Sequence, residues 1–386
     1  MLLYALKMLI GDRAKYIGII FGLSFASFII AQQAAIFVGL MTRTYGFITD
    51  TSQPDIWVMD RKVQYVDDIK PLKDTYIYRV KGVEGVQWAV PMYKGLIKAR
   101  LKDGNFQTCI VIGLDDATLI GGPPRMIAGN IKNLKWTDAV IVNEVGAKTK
   151  LAQPPKKPGK EKIPLQMGDV LEINDNRAKV AGICKVSRTF QSQPVIYTTY
   201  NRALSFAPPE RKLLSFILVK AEDHIPLQEL CHKIERTTGL AAYTSDQFIQ
   251  LTIKYFMKNT GIPLNFGVAV LLGFIIGTAI AGQTFYNFTL DNLPYFGAFK
   301  AMGAGNWLLM RMVFLQAMYV GAIGWGIGIG AASLFGFLSK NTELSFYLHW
   351  QLYLLSGISI FIICVFSAVL SMVRIFRLEP AVVFKG

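Results

Sequence analysis

The stretch YIGIIFGLSFASFIIAQQAAIFVGL, residues 16–40, decides the fold class of this chain. Its only ionisable group is the phenol of Tyr16. A helix needs about 20 consecutive, mostly apolar residues to cross the hydrocarbon core of a bilayer. The stretch therefore predicts a transmembrane helix. It is longer than the apolar part of a signal peptide and no small-residue cleavage site follows it, so we expect a retained anchor.

Three further segments have the same character: residues 263–285, 307–337 and 352–373. The composition agrees, with 52% hydrophobic and 17% charged residues. A buried core helix is the alternative for any one segment, but four segments of this length favour membrane spans. The predicted fold class is an α-helical membrane protein with four transmembrane helices plus a large mixed α/β extracytoplasmic domain between the first and the second.

Basic residues in the short loops predict the orientation, because Lys and Arg accumulate on the cytoplasmic side. One side carries eight of them, whereas the short loop on the other side, residues 339–351, carries one Lys and one Glu. The eight are Lys7, Arg13, Lys15, Lys300, Arg311, Arg374, Arg377 and Lys385. We expect an inner-membrane protein with both termini in the cytoplasm. Residues 1–15 would form an interfacial helix with Leu2, Leu3, Leu6, Leu9 and Ile10 on one side, and residues 374–386 a cytoplasmic tail.

The insertion, residues 43–260, is predicted to form the extracytoplasmic domain, which would be periplasmic. Residues 43–258 contain 32 Lys and Arg against 22 Asp and Glu, so they contribute +10 of the net charge of +15. Long domains cross the membrane largely regardless of charge. In a membrane protein this charge favours anionic membrane lipids or an acidic protein as partner, and no nucleic acid is expected.

Short apolar runs between turn residues predict a mixed α/β domain. The Asn- and Asp-rich turn within residues 165–183 predicts a β-hairpin. Residues 154–164 read as an exposed loop, and residues 259–263 as either a hinge or a simple helix break. The predicted strands are 56–59, 86–90, 95–101, 108–113, 139–143, 170–173, 179–186, 195–198 and 215–220, and the predicted helices are 225–237 and 245–257.

The four cysteines fit no metal-binding spacing. Cys109, Cys184 and Cys231 lie in the predicted outer domain, where one disulfide plus one free thiol is an open alternative. Cys364 falls in the fourth span and is expected to pack as a small apolar residue.

Sequence motifs for catalysis and nucleotide binding are missing. There is no G-x-x-x-x-G-K-[ST] loop, no H-E-x-x-H and no G-x-S-x-G. We therefore predict a non-catalytic membrane subunit with no catalytic, cofactor or metal site of its own. Small residues at helix-packing spacing, Gly18 with Gly22 and Gly273 with Gly277, predict a homodimer interface.

The segment NFTLDNLPYFGAFKAMGAG, residues 287–305, joins the second span to the third. It is too apolar for an idle loop and too polar for a span. Leu290, Leu293, Phe296 and Phe299 share one face of a short helix that we expect Pro294 to interrupt. Such a face needs a lipid surface or a protein groove to cover it.

This segment resembles the coupling segment of the FtsX-like (MacB-type, type VII) ABC transporter permeases. The matching residues are Asp291, Gly297, Lys300, Ala301, Met302, Gly303 and Ala304. The tail, residues 377–381, is similar to the closing R-x-x-P-A of the family. Gly168-Asp169 with residues 180–183 resembles its periplasmic module. The order of residues in the segment looks closest to the DevC branch.

The resemblance implies a homodimeric permease subunit of an efflux system that binds two copies of a cytosolic ABC ATPase. ATP and Mg would be bound by that separate chain. Mechanotransmission to the periplasmic domain would export lipid-like or hydrophobic cargo with a periplasmic adaptor and an outer-membrane channel. An FtsX-like signal transducer and a lipoprotein-extracting permease are the alternatives. The implied ATPase contacts are Leu290, Asp291, Asn292, Leu293, Pro294, Tyr295, Phe296, Gly297, Lys300, Ala301, Met302 and Gly303.

Overall fold

The computed structural model describes residues 2–155 and 162–376 of the chain. Most of the predicted loop 154–164 and the family-like tail 377–381 therefore lie outside the described residues. The chain divides into two compact units. We call Met1–Leu40 with Gly261–Gly386 the helical unit, and Met41–Thr260 the α/β unit.

Eleven α-helices occur in the described part of the chain. In chain order they are α1 (Leu2–Gly11), α2 (Arg13–Asp50), α3 (Thr75–Lys81), α4 (Glu144–Lys148), α5 (Tyr200–Phe206), α6 (Leu227–Thr238), α7 (Ser245–Asn259), α8 (Ile262–Asp291), α9 (Leu293–Ala301), α10 (Asn306–Leu338) and α11 (Trp350–Phe376). Short 3₁₀ turns occupy Ile131–Lys135, Pro209–Arg211 and Ser339–Asn341.

Four of these helices are long and apolar enough to cross a membrane: α2, α8, α10 and α11. The four predicted apolar segments are thus confirmed as helices, but each helix is longer than predicted. The largest difference is in α2, which continues ten residues past Leu40 to Asp50. Apolarity marks the part of a helix that suits hydrocarbon, whereas the helix itself ends where its backbone hydrogen bonds end.

Small residues set the spacing of the helices within the helical unit. A Cβ added at Gly277 would lie 2.5 Å from the Cβ of Ala26, and one added at Gly273 would lie 2.9 Å from Ile29. Gly22 makes an equally close approach to Ile280. The glycines predicted for dimer packing therefore permit contact between α2 and α8 of the same chain. Their role in dimerisation stays a prediction.

Within its described residues the α/β unit contains ten strands in one mixed sheet system. They are β1 (Ile56–Met59), β2 (Val86–Arg100), β3 (Phe106–Leu114), β4 (Arg125–Gly129), β5 (Ala139–Asn143), β6 (Val170–Ile173), β7 (Asn176–Lys185), β8 (Val195–Thr199), β9 (Phe216–Ala221) and β10 (Ala241–Thr244). The order is β10-β1-β9-β2-β3-β8-β5-β7-β4, with β6 beside β2 and β7. The pairs β3–β8 and β5–β7 are parallel.

The strand β2 corrects the prediction of two strands at 86–90 and 95–101. It is one strand of 15 residues that changes partners part of the way along its length. Val86 to Met92 pair with β9, and Tyr93 to Arg100 pair with β3. Pro91 and Gly95 read as breaks in the sequence, but non-local pairing on both sides of them holds the strand together.

A closed circuit of six strands follows from this change of partners. From Tyr93 onward β2 pairs with β3, which continues through β8, β5 and β7 to β6, and β6 pairs back with β2 at Ala99 and Arg100. The first half of β2 belongs to an open sheet with β9, β1 and β10. The unit is thus a small barrel and an open sheet that share one strand.

The predicted hairpin within residues 165–183 is confirmed as β6–β7, with Ile173 opposite Asn176. Its two turn residues, Asn174 and Asp175, have φ of 46° and 62°, the left-handed conformation that a type I′ turn requires. The strands β4 and β10 were missed. Their sequences, RMIAG and AAYT, contain few of the β-branched residues that mark a strand.

Both faces of the open sheet are buried, which explains the continuous apolar run of β1. Ile56 and Val58 belong to one core, which also contains Leu230 of α6. Trp57 and Met59 belong to a second core, in which Trp57 lies 5.7 Å from the ring of Phe248 in α7. The indole N–H of Trp57 donates to the hydroxyl of Ser245 at 3.2 Å, so its polar atom is satisfied.

All four cysteines are free and buried, so the disulfide that the sequence left open is not formed. Burial raises the pKa of the Cys109 and Cys184 thiols to about 12, and that of the Cys231 thiol to about 11. Since the thiolate is the reactive form, these groups are protonated and shielded at neutral pH.

We therefore expect the three thiols of the α/β unit to resist maleimide at pH 8 in the native protein. A raised pKa means that the thiolate fraction stays below roughly one in a thousand at this pH for Cys109 and Cys184. Mass spectrometry of peptides from the labelled full chain would measure this. The same protein in denaturant should label fully, and rapid native labelling of Cys109 or Cys231 would contradict the burial.

A second expectation concerns the close helix contacts. Gly328→Val should lower the stability of the full chain by about 1–3 kcal/mol, because the new Cβ would lie 2.5 Å from Ser27 Cβ and 2.6 Å from the carbonyl oxygen of Ser24. Gly326→Val is the matched control, since nothing lies within 4 Å of its Cβ position. Thermal unfolding in detergent measures both, and equal shifts would contradict the packing.

Candidate functional site

The segment 287–305 begins inside a helix and contains a second, short one. The helix α8 continues to Asp291, and α9 occupies Leu293–Ala301. The sequence predicted that Pro294 interrupts the short helix, but Pro294 does not interrupt α9. It lies in the first turn, where a backbone N–H has no partner within the helix and proline is favoured.

Asn292 forms the joint between these two helices. Its side-chain amide donates to the carbonyl oxygen of Phe288 at 2.8 Å and so satisfies a group left over at the end of α8. Its own carbonyl oxygen accepts from the N–H of Tyr295 at 3.1 Å and from that of Phe296 at 3.2 Å. One residue thus ends α8 and starts α9, which fixes the direction of the segment.

The apolar face of the segment is covered by the chain itself. Phe296 is fully buried and belongs to the same cluster as Phe288, Leu309 and Leu9. The sequence called for a lipid surface or a protein groove to cover this face, and for Phe296 the cover is a protein surface of the same chain. The sequence could not reveal the cover, because it comes from α1 and α10, which are distant along the chain.

The opposite side of the segment is exposed and rich in groups that bind proteins. Tyr295 is 60% and Met302 67% exposed, and Pro294, Ala298 and Ala301 are exposed with them. Aromatic residues and Met are enriched where proteins meet. Of the twelve predicted contacts, Phe296 and Gly297 are buried, Leu290, Asn292, Leu293 and Lys300 are half-buried, and Asp291, Pro294, Tyr295, Ala301, Met302 and Gly303 are exposed.

A groove of about 860 Å³ runs beside the segment, and we call it the cytoplasmic groove after the predicted side. One wall is formed by residues of the segment and the other by the N-terminal part of the chain. The first wall contains Asp291, Asn292, Tyr295, Ala298 and Phe299, and the second Tyr4, Lys7, Met8, Gly11, Asp12 and Arg13. Sequence reasoning missed the second wall.

The helix α1 is held against α10 by apolar packing and one polar contact. Ala5 and Leu9 are fully buried, and the side-chain amide of Gln316 donates to the carbonyl oxygen of Ala5 at 2.6 Å. The residues of the predicted apolar side are thus divided, since Leu9 packs inward whereas Ile10 is 47% exposed, and the interfacial position of the helix stays a prediction. The face that carries Tyr4 and Lys7 remains open to the groove.

The two carboxylates at the groove, Asp12 and Asp291, are both paired with Lys15. The ammonium of Lys15 lies 2.8 Å from the carboxylate of Asp12 and also pairs with Asp291. The hydrogen bond from Lys15 lowers the pKa of Asp12. Exposed ion pairs contribute at most about 1 kcal/mol to stability. This pair therefore matters mainly because it holds two parts of the chain together. It connects Asp291 of the segment to the first turn of α2.

The expectation that this chain has no cofactor or metal site of its own stays a prediction. Within residues 2–155 and 162–376, no group of three or more His, Cys, Asp and Glu side chains is placed to hold a metal ion. The expectation that nucleotide binds to a separate chain stays a prediction.

Residues 249–380 match the family model described as FtsX-like permease C-terminal. This part of the chain, which includes α8, α9, α10 and α11, is therefore similar to the C-terminal region of FtsX-like permeases, and we call it the FtsX-like permease region. The resemblance seen in the segment 287–305 is confirmed at this level. The assignment to the DevC branch stays a prediction.

Two solved structures are similar to the chain. The extracellular domain of the noncanonic ABC-type transporter YknZ from Gram-positive bacteria is 14% identical, with 50% of this chain and 98% of that chain covered and a TM-score of 0.34. The periplasmic region of MacB from Actinobacillus actinomycetemcomitans is 15% identical, with 55% of this chain and 96% of that chain covered and a TM-score of 0.36.

The two faces of α9 should respond differently to truncation. Phe296→Ala removes a fully buried ring, so we expect a loss of about 3–5 kcal/mol in stability. Tyr295→Ala, next to it on the exposed side, should change stability by less than about 0.5 kcal/mol. Thermal unfolding of the full chain measures both. A large loss with Tyr295→Ala would show that this side chain is structural.

Proposed function

We propose that the chain is the permease subunit of an ABC exporter of the FtsX, MacB and DevC type. The supporting observation is that the FtsX-like permease region contains the segment 287–305, whose exposed side presents Tyr295 and Met302 beside the cytoplasmic groove. In this proposal a cytosolic ABC ATPase binds there and supplies ATP and Mg. The chain itself is not an enzyme.

The chemistry of the surface suits such a partner. Tyr295 and Met302 offer apolar contact area, and a few large side chains of this kind supply most of the energy of a typical interface. The groove adds paired charges on both walls, which favour one orientation of the docked partner. Two ATPases and two copies of this chain would form the working assembly.

The distribution of charge supports a mechanical role for the helices. In α2 no Asp, Glu, Lys or Arg lies between Lys15 and Arg43, and in α8 the first such residue is Asp291 at its end. Carriers of ions or protons place ionisable groups deep in the membrane. Helices without such ionisable groups are better suited to transmitting motion than to carrying ions or protons. Close contacts at Gly277 and Gly328 would let the helices move as a packed set.

The proposed cargo is lipid-like or hydrophobic and is handled at the α/β unit on the periplasmic side of the inner membrane. A periplasmic adaptor and an outer-membrane channel would complete the export route. The proposed orientation in the membrane is based on the basic residues of the short loops. Lys7 and Arg13 lie in the N-terminal part of the chain, and Lys300 lies in the segment 287–305.

The test is binding of a co-expressed ATPase to the full chain. Tyr295→Ala combined with Met302→Ala should weaken capture of the ATPase by tenfold or more and lower its stimulated ATP turnover, because both side chains are exposed and free to contact a partner. Tyr347→Ala is the matched control, since Tyr347 is 53% exposed but lies in the loop on the other predicted side.

Thermal unfolding should be unchanged in all of these variants. Capture and ATP turnover that remained at the level of the unmodified chain would overturn the assignment of this surface to the ATPase.

A further inference from the structure

The α/β unit contains a cavity of about 320 Å³ that we call the Lys94 cavity. Sites for small molecules typically measure about 300–1,000 Å³, so this volume suits one short-chain molecule. A second cavity of about 250 Å³ also borders Lys94. The volume, the walls and the polar groups of the Lys94 cavity together define what it can hold.

Lys94 is a charged side chain in an unusual position, because only 3% of it is exposed. Its ammonium donates to the carbonyl oxygen of Val66 at 3.0 Å and to the carboxylate of Asp67, and lies 4.6 Å from the centre of the Phe47 ring. A buried ammonium needs such partners to offset the loss of water. Asp67 therefore neutralises Lys94, and the 41% exposed side chain of Asp67 also borders the cavity.

One wall of the cavity is aromatic. The rings of Tyr65 and Tyr255 stack at 4.3 Å, and Phe256 lies 5.5 Å from Tyr65 and 5.1 Å from Phe190. This wall joins the loop after β1, the loop before β8 and the helix α7. Leu96, which is 57% exposed, also lines the cavity. An apolar arm lying against these residues would be largely removed from water.

Two of the polar groups that line the cavity are hydrogen-bond acceptors. The side-chain oxygen of Gln193 is buried and has no hydrogen-bond partner among the described residues. Asp67 is a second acceptor, whereas the ammonium of Lys94 already donates to two groups. A buried acceptor without a partner costs about 1–3 kcal/mol. A ligand with hydroxyl or amide donors would remove that cost, whereas an anion would meet the carboxylate of Asp67.

We propose that the Lys94 cavity binds an uncharged amphipathic molecule. Its head carries hydroxyl or amide groups that donate to Asp67 and to Gln193, and its single apolar arm lies along the wall of Tyr65, Tyr255 and Phe256. Binding here does not depend on whether the chain couples to an ATPase, so the two assignments succeed or fail separately.

The test compares three probes that share an eight-carbon arm and differ in head charge: 1,2-octanediol, octanoate and octylammonium. Titration calorimetry uses the full chain in lipid nanodiscs, with empty nanodiscs subtracted. The diol should bind at least tenfold more tightly than either charged probe. Octanoate or octylammonium binding as tightly as the diol would overturn the assignment of an uncharged head.

Substitutions test whether the diol binds in the Lys94 cavity. Leu96→Trp should fill it and weaken diol binding tenfold or more, and it is tolerated because Leu96 is largely exposed. Gln193→Leu removes the unpaired acceptor and should weaken diol binding about fivefold. Tyr78→Ala is the control, since Tyr78 is 73% exposed and lies outside the cavity. Thermal unfolding identifies any variant that fails to fold, and diol binding unchanged by folded Leu96→Trp would overturn the site.

Discussion

Close contact between small residues is the constraint on which the helical unit depends. Apolar helices in hydrocarbon gain nothing from hiding apolar surface, so their association relies on van der Waals contact and on short approaches between backbones. Gly277 beside Ala26 and Gly328 beside Ser27 supply these approaches. The hydroxyl of Ser27 also donates to the carbonyl oxygen of Trp325 at 3.3 Å. Because the helices are this close, they enclose Phe285 and Phe288 in one buried cluster. Phe296 of the segment 287–305 packs into the same cluster.

The same principle explains which parts of the fold the sequence could predict. Long apolar runs and the Asn174-Asp175 turn are local signals, and both led to the correct element. The strand β2 was divided wrongly because its continuity depends on partners more than a hundred residues away, in β9. The helix α2 was ended too early because Met41 to Asp50 are helical but no longer suited to hydrocarbon. Local composition cannot report either effect.

The candidate site shows a similar division. The resemblance located the segment 287–305, and the spacing of Phe296 and Phe299 correctly grouped an apolar face. What covers that face, and which side remains for a partner, depended on α1 and α10. The N-terminal wall of the cytoplasmic groove was missed because Tyr4, Lys7 and Arg13 carry no motif. Both walls were predicted to lie on the cytoplasmic side, and that shared side is the signal that sequence reasoning could have used. The Lys94 cavity has no local signal, since Lys94 and Gln193 are almost a hundred residues apart.

The closed circuit of six strands has a consequence for how other molecules can attach to the α/β unit. A strand whose neighbours are all present offers no free row of N–H and C=O groups, and such rows are what foreign strands add to. Among the described strands, the ends of the sheet system are β4 and β10, of five and four residues. Both are short, and β4 carries an irregularity between Met126 and Ala128. The unit is therefore poorly suited to templating aggregation, and attachment through side chains in pockets and on loops is the route that its architecture leaves open.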